Sequence, residues 1–247
     1  MKLLNSKISL LEHFQELMHS LRRIIVYLLF ACGLCYFYSS ELLNFLWAAV
    51  LNISENQELI YTRPFEKVWI LMRLSLFAGA ALVSPLIFLE LFLFFKPALK
   101  KNEKTSLYSF SIVFALVFIA GILLGYVYVL PLLLQSLFRF GADAQITALF
   151  TVSAYVNTVV GVLLFSALFF EIPVLMFFLT KMHLVSVETW RKSRRLAFVV
   201  NAFLAALLSP PDPLSMLVML LPLQLLYELG LLSVALIKSK SVRQTQG

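Results

Sequence analysis

Between Lys104 and Arg139 the chain carries no charged side chain. About 20 apolar residues at 1.5 Å rise cross a bilayer, so Thr105 to Phe138 can span one and leave residues at both ends for non-membrane helix. Lipid offers backbone N–H and C=O groups no partner, so such a run satisfies its own hydrogen bonds as helix. The run has company: 61% of the 247 residues are hydrophobic and 13% charged, against about 45–50% and about 25% in a soluble domain. The mean hydropathy is +0.92. This balance excludes a soluble globular enzyme, a disordered chain and a disulfide-stapled secreted module.

Five further apolar runs are bounded by charge. They are Ile24 to Ser40, Val68 to Phe95 (with Arg73 and Glu90 inside), Thr151 to Thr180 (with Glu171), a short run between Arg195 and Pro210, and one after Asp212 reaching Ile237 across Pro222 and Glu228. Six spans follow, at about 24–40, 68–95, 107–135, 153–180, 196–209 and 214–237, in a single membrane domain over 1–247. The fifth is stunted: 14 residues give about 21 Å, short of a core of about 30 Å. It must thin the bilayer or shelter against neighbours.

Charge sets the orientation. With six spans, 16 of the 20 basic residues fall on one side, in the N-terminal segment, two connections and the tail, and only Arg63, Lys67, Arg73 and Arg139 on the other. The positive-inside rule puts both termini in the cytoplasm. The net charge of +7 is thereby an orientation signal met by anionic lipid, and no nucleic-acid partner is expected. Leu10, Leu11, Phe14, Leu17, Met18 and Leu21 repeat at helical spacing, so Ser9 to Arg23 reads as an interfacial helix entering the first span, with Ser9 and Glu12 at capping-box spacing. An amphipathic stretch of this kind is not a cleavable signal peptide. Glu41 to Val50 reads as a second interfacial helix, outside.

Catalytic chemistry finds no footing. Cys32 and Cys35 read as small apolar filler, and His13, His19 and His183 lack metal spacing. No nucleophile elbow, phosphate loop or zinc-protease motif occurs, so no enzyme, cofactor or metal is expected. Gly121 and Gly125 form a G-x-x-x-G whose reading is close helix packing.

The carboxylates say more. Glu12 and Glu16 share a helix face, as a solvated acidic face or as a site for a cation. Glu103 is the one acid in a connection holding Lys96, Lys100, Lys101 and Lys104, where a local salt bridge is the plain alternative to a binding role. Glu90, Glu171 and Glu228 lie in apolar spans, where an acid costs about 2.5–3.5 kcal/mol on insertion scales. Glu90 and Glu228 fall near span ends, within snorkelling reach. Glu171 is deeper, and Pro173 beside it frees the carbonyl of Phe169, so a kinked helix with a buried acid is a functional candidate. Arg73 is its available counter-charge, though nearer the outer end.

At this point the residues resemble the TatC family, the multi-spanning receptor component of the twin-arginine protein translocase. The resemblance runs from about Leu10 to Ile237. His13-Phe-Gln-Glu16-Leu17 is similar to the family's H-L-x-E-L. Ser84-Pro85 and Phe94-Phe-Lys-Pro97-Ala-Leu-Lys-Lys-Asn-Glu103 are similar to its second span and following loop. Gly121, Tyr126 and Pro131 fit its third span, Phe170-Glu171-Ile-Pro173 its F-E-x-P, and Leu208-Ser-Pro210-Pro211-Asp212 its L-T-P-P-D turn.

The resemblance implies an all-α polytopic membrane protein with six transmembrane helices, N-in/C-in, in a concave, glove-like arrangement with short fifth and sixth helices. It implies recognition of twin-arginine signal peptides at Glu16 and Glu103, with Glu12, His13 and Phe94, and export of folded proteins driven by the proton-motive force. Guanidinium pairs bidentately with carboxylate, which suits arginine over lysine. An intramembrane groove would involve Pro85, Glu90, Glu171 and Pro173, and Pro210, Pro211 and Asp212 an outer turn, with Asp212 capping the sixth helix. Implied partners are TatA/TatB-type single-span subunits along the fifth and sixth spans, the lipid bilayer and further copies of the chain, in the cytoplasmic (inner) membrane of a bacterium. The chain departs from E-L-R-x-R at Met18 and Ser20, where Arg22 and Arg23 are the nearby cations, and has Met216 where the family often carries glutamine. The competing reading from another class is a proton- or ion-coupled small-solute carrier with Glu90, Glu171 and Arg73 as its pathway, but no internal repeat supports it.

Overall fold

The computed structural model describes residues 2–51, 59–94, 106–140, 150–182, 184–208 and 213–244. Glu103, Pro210, Pro211 and Asp212 lie outside the described residues, and so do the side chains of Glu12, His13, Glu16 and Phe94. The described chain is helical apart from one parallel pairing of two-residue strands, β1 (Leu59–Ile60) with β2 (Phe150–Thr151).

Helix α1 (Lys2–Phe37) is unbroken over 36 residues, and no proline occurs before Pro64 to interrupt it. Helix α2 (Ser39–Leu51) follows at once, with the Ser39 hydroxyl donating to the Tyr36 carbonyl at 2.7 Å. Helices α3 (Glu66–Leu82) and α4 (Ser84–Phe94) meet at Val83 with a bend of 60°. Pro85 causes it: proline has no N–H for the Ala81 carbonyl, and the Ser84 hydroxyl bonds that carbonyl instead at 2.8 Å. A second proline shapes the next run. Helix α5 (Ser106–Leu124) widens into a π turn (Gly125–Val129), where the Leu130 N–H reaches back to the Gly125 carbonyl, before α6 (Leu130–Phe140). The wide turn sits where the Pro131 ring would crowd an α-helical carbonyl.

Helix α7 (Val152–Lys181) starts at Thr151, whose side chain accepts from the Ala154 N–H at 3.1 Å, and stays helical through Pro173. Ser186 caps the short α8 (Val187–Lys192) in the same way. Helix α9 (Arg194–Leu208) has only 15 residues, and α10 (Pro213–Gln244) opens on a proline, which suits a first-turn position.

Four described helical stretches are long and apolar enough to cross a membrane: Leu17–Phe37, Leu107–Gln135, Val152–Lys181 and Met219–Leu236. The bent α3–α4 pair makes a fifth candidate, and α9 falls short by length. The protein is thus all-helical and polytopic. Many large apolar side chains are exposed: Leu196, Val199, Phe203 and Leu207 form a stripe along α9, as expected of a helix facing lipid.

The chain divides into two compact units. In the first (Met1–Ser40, Leu71–Ala115), α1 packs on α4. A Cβ on Gly79 would lie 2.9 Å from the Cys32 amide nitrogen, so glycine lets α3 touch the α1 backbone. Phe92 meets the Phe114 ring edge-on at 4.9 Å, and Cys32 and Cys35 are free thiols. In the second (Glu41–Ile70, Leu116–Gly247), α10 packs on both α7 and α9. There the G-x-x-x-G does bring backbones together. A Cβ on Gly121 would lie 2.7 Å from the Ala167 Cα, and one on Gly125 2.8 Å from the Ser166 Cβ. The Ser166 hydroxyl uses the closeness to donate to the Gly121 carbonyl at 2.9 Å.

Candidate functional site

Each intramembrane acid meets a different environment. Glu90 is buried on α4, and Nη2 of Arg23, on α1, donates to its Oε2 at 2.8 Å. The same nitrogen reaches the Ser20 hydroxyl at 3.4 Å. Ser20 is buried as well, so the pair has a polar base between the two helices of the first unit.

Glu228, on α10, belongs to a ladder across α9 and α10. Its Oε1 accepts from Arg194 Nε at 2.6 Å and from Gln224 Nε2 at 3.1 Å. The Gln224 Oε1 accepts in turn from Asn201 Nδ2 at 3.2 Å, and that amide also reaches the Leu223 carbonyl at 3.4 Å. Asn201 is buried, so its amide must find partners inside the helix pair, and it finds them one helix away. At the neighbouring end, Tyr227 donates to the Trp190 carbonyl at 2.8 Å and the Trp190 indole to the Thr180 hydroxyl at 3.0 Å, tying α8 to both long helices.

Glu171 is the exception. It is 6% exposed, and among the described residues neither carboxyl oxygen has a hydrogen-bond partner. A buried polar group left so costs about 1–3 kcal/mol, far more if ionised. Pro173 lies half a turn on, and its carbonyl receives the Ser233 hydroxyl at 3.4 Å. Gly230 brings α10 against Met176 and Pro173. Preceding Glu171 on α7, Phe165, Phe169 and Phe170 line an apolar groove with Val129, Met219 and Leu226. The groove is apolar, and the Glu171 carboxyl on the same helix has no donor among the described residues.

One acid escapes the sequence argument. Glu66, buried in the first turn of α3, accepts from the Thr62 N–H at 2.6 Å, the Thr62 hydroxyl at 3.1 Å and the Arg63 N–H at 3.1 Å through Oε2. Its Oε1 accepts from the Ser153 N–H at 3.1 Å, in the first turn of α7. It thus pins two helix starts beside the β1–β2 pairing. The available signal is an acid opening an apolar run, where free N–H groups gather. Nearby, Tyr155 and Tyr126 hold α2 by donating to the Leu46 and Phe45 carbonyls at 2.5 and 3.1 Å.

Of the residues singled out by sequence, Glu12, His13 and Glu16 fall on α1 and Phe94 ends α4. Pro85 sits at the α3–α4 bend, Glu90 pairs with Arg23, and Glu171 and Pro173 share one turn of α7.

Comparison with known proteins places this architecture. Residues 12–222 match the family model for Sec-independent protein translocase protein (TatC). Among proteins of that name, the chain is 28% identical to that of Rickettsia prowazekii over 226 residues, covering 90% of each chain. It is 30% identical to that of Aquifex aeolicus over 223 residues, 90% of this chain and 92% of the relative. Two solved structures of the twin-arginine translocase receptor TatC, one in DDM, superpose with TM-scores of 0.78 and 0.80 at 28% identity. They cover 91% and 90% of this chain and 98% and 99% of theirs. With its helical architecture matched along nearly its whole length and the family model spanning most of it, the chain belongs to the TatC family of Sec-independent protein translocase proteins.

Proposed function

We propose that this chain is the receptor core of a twin-arginine translocase, binding twin-arginine signal peptides at its cytoplasmic side and taking part in proton-motive-force-driven export of folded proteins. Membership of the family makes it a multi-pass membrane protein of twin-arginine translocation, a transporter and not an enzyme. The observation that carries the finer reading is the whole-length likeness to solved twin-arginine translocase receptors. The reading takes six crossings, with α9 as the short fifth, both termini in the cytoplasm and the bacterial inner membrane as location.

In this reading Glu16 and Glu103 receive the arginine pair, with Glu12, His13 and Phe94 around them. Two carboxylates suit two guanidinium forks, and lysine, a point charge, fits them less well. The apolar part of the signal lies along the helices near Glu171, with Pro85, Glu90 and Pro173 shaping that path. Pro210, Pro211 and Asp212 form the outer turn, and TatA/TatB-type single-span subunits and further copies of the chain complete the complex. Export of a folded reporter carrying a twin-arginine signal tests the binding role. A Glu16→Ala, Glu103→Ala double variant is expected to abolish export while still accumulating in the membrane. Export at the wild-type rate removes both residues from the site.

A further inference from the structure

We propose that Glu90 is a guanidinium-exchange site: the chain's own Arg23 fills it at rest, and an arginine of the incoming signal takes Arg23's place. The inference rests on the receptor reading above, and adds to it a third carboxylate and a built-in competitor.

Three observations carry it. The first is unequal burial. The Glu90 side chain is 7% exposed and the Arg23 side chain 48%. Arg23 can swing into water or headgroups at small cost, whereas Glu90, fixed within α4, cannot follow. A buried carboxylate stripped of its cation is strongly penalised, so the site demands an occupant without demanding this one. The second is the contact itself. Among the described residues Arg23 offers Glu90 a single nitrogen, Nη2, and shares it with Ser20. A guanidinium arriving as a two-nitrogen fork would make the stronger pair. The third is register. Glu16 lies seven residues before Arg23, two turns back along the same stripe of α1. Phe94 lies four residues after Glu90, one turn on along α4. The pair therefore sits two turns along α1 from Glu16 and one turn along α4 from Phe94. A cation placed there by the chain itself competes with one placed there by a signal.

A competitor that fills a site nine-tenths of the time weakens the apparent affinity of its rival about tenfold. The test measures binding of a fluorescent twin-arginine peptide, and of its twin-lysine counterpart, to the full chain in lipid nanodiscs. Arg23→Gln is expected to tighten the arginine peptide about tenfold, and the lysine peptide less. The gain should vanish when Glu90→Gln is added. Arg22→Gln, which removes the same charge one residue away, should give less than half of the gain. Should Arg23→Gln fail to accumulate, Arg23→Lys keeps an ion pair with a weaker competitor and should show an intermediate gain. Wild-type or weaker binding in the Arg23 variants overturns the proposal, as does a gain that survives Glu90→Gln or that Arg22→Gln equals. If the wild-type chain binds arginine and lysine peptides alike, the receptor reading itself fails and takes this one with it.

Discussion

Gly121→Val is expected to lower the stability of the folded chain by about 3 kcal/mol, the upper end for an overpacked contact. The neighbours of its absent Cβ are what make it severe. Two of the three nearest atoms are backbone, the Ala167 Cα at 2.7 Å and the Ser166 carbonyl oxygen at 3.2 Å. Backbone inside a packed helix pair cannot swing aside as a side-chain tip can, so α5 and α7 must separate. Separation also breaks the Ser166 hydroxyl's bond to the Gly121 carbonyl and leaves both groups in an apolar setting. Thermal unfolding in detergent reads the loss. Gly33 and Gly161 have nothing within 4 Å of the Cβ position, so their alanine variants should unfold at or above the wild-type temperature. A Gly121→Val protein as stable as the Gly33→Ala protein would mean that the α5–α7 approach is not as close as described.

Glu171→Leu should move stability and transport in opposite directions. Removing a buried carboxyl that has no described partner returns its desolvation cost, so the leucine variant is expected to be about 1–3 kcal/mol more stable. If the acid is kept for signal passage, export of a folded twin-arginine reporter should fall to a small fraction of wild type despite the firmer fold. Glu171→Gln, which retains polar atoms of similar shape, should lie between the two. A leucine variant that gains stability and exports normally makes Glu171 dispensable; one that loses stability has broken a contact that the described residues do not contain.

What could be read from sequence follows from the range over which each interaction acts. The run from Thr105 to Phe138 had to be helix because lipid leaves no alternative, and α5 and α6 lie along it. Gly121 and Gly125 were legible because absent side chains have one structural use in a helix, close approach, whatever the partner. The bend at Val83 was half legible: Pro85 marks it, but the Ser84 hydroxyl that takes over the Ala81 carbonyl appears only with geometry. The π turn before Pro131 was invisible, since proline signals a disturbed helix without saying how it relaxes.

Pairings were the least legible. Arg23 and Glu90 lie 67 residues apart, and only the packing of α1 on α4 joins them. Asn201 and Gln224 read as ordinary amides in sequence, and only the packing of α9 on α10 joins them to each other and to the Leu223 carbonyl and Glu228. Glu66 went unread because its partners are backbone N–H groups, which every residue but proline carries.

If cytoplasmic carboxylates of this chain receive an arginine pair, a bound twin-arginine signal peptide lies against the segments that carry them. Photo-crosslinking of that peptide to probes placed one at a time along 9–23 and 100–104, and along 41–50 for comparison, tests this. Crosslinks confined to the first two segments, and lost when the arginine pair is changed to lysines, are the predicted result. Crosslinks of equal strength with the lysine signal, or an even spread across all three segments, would contradict it.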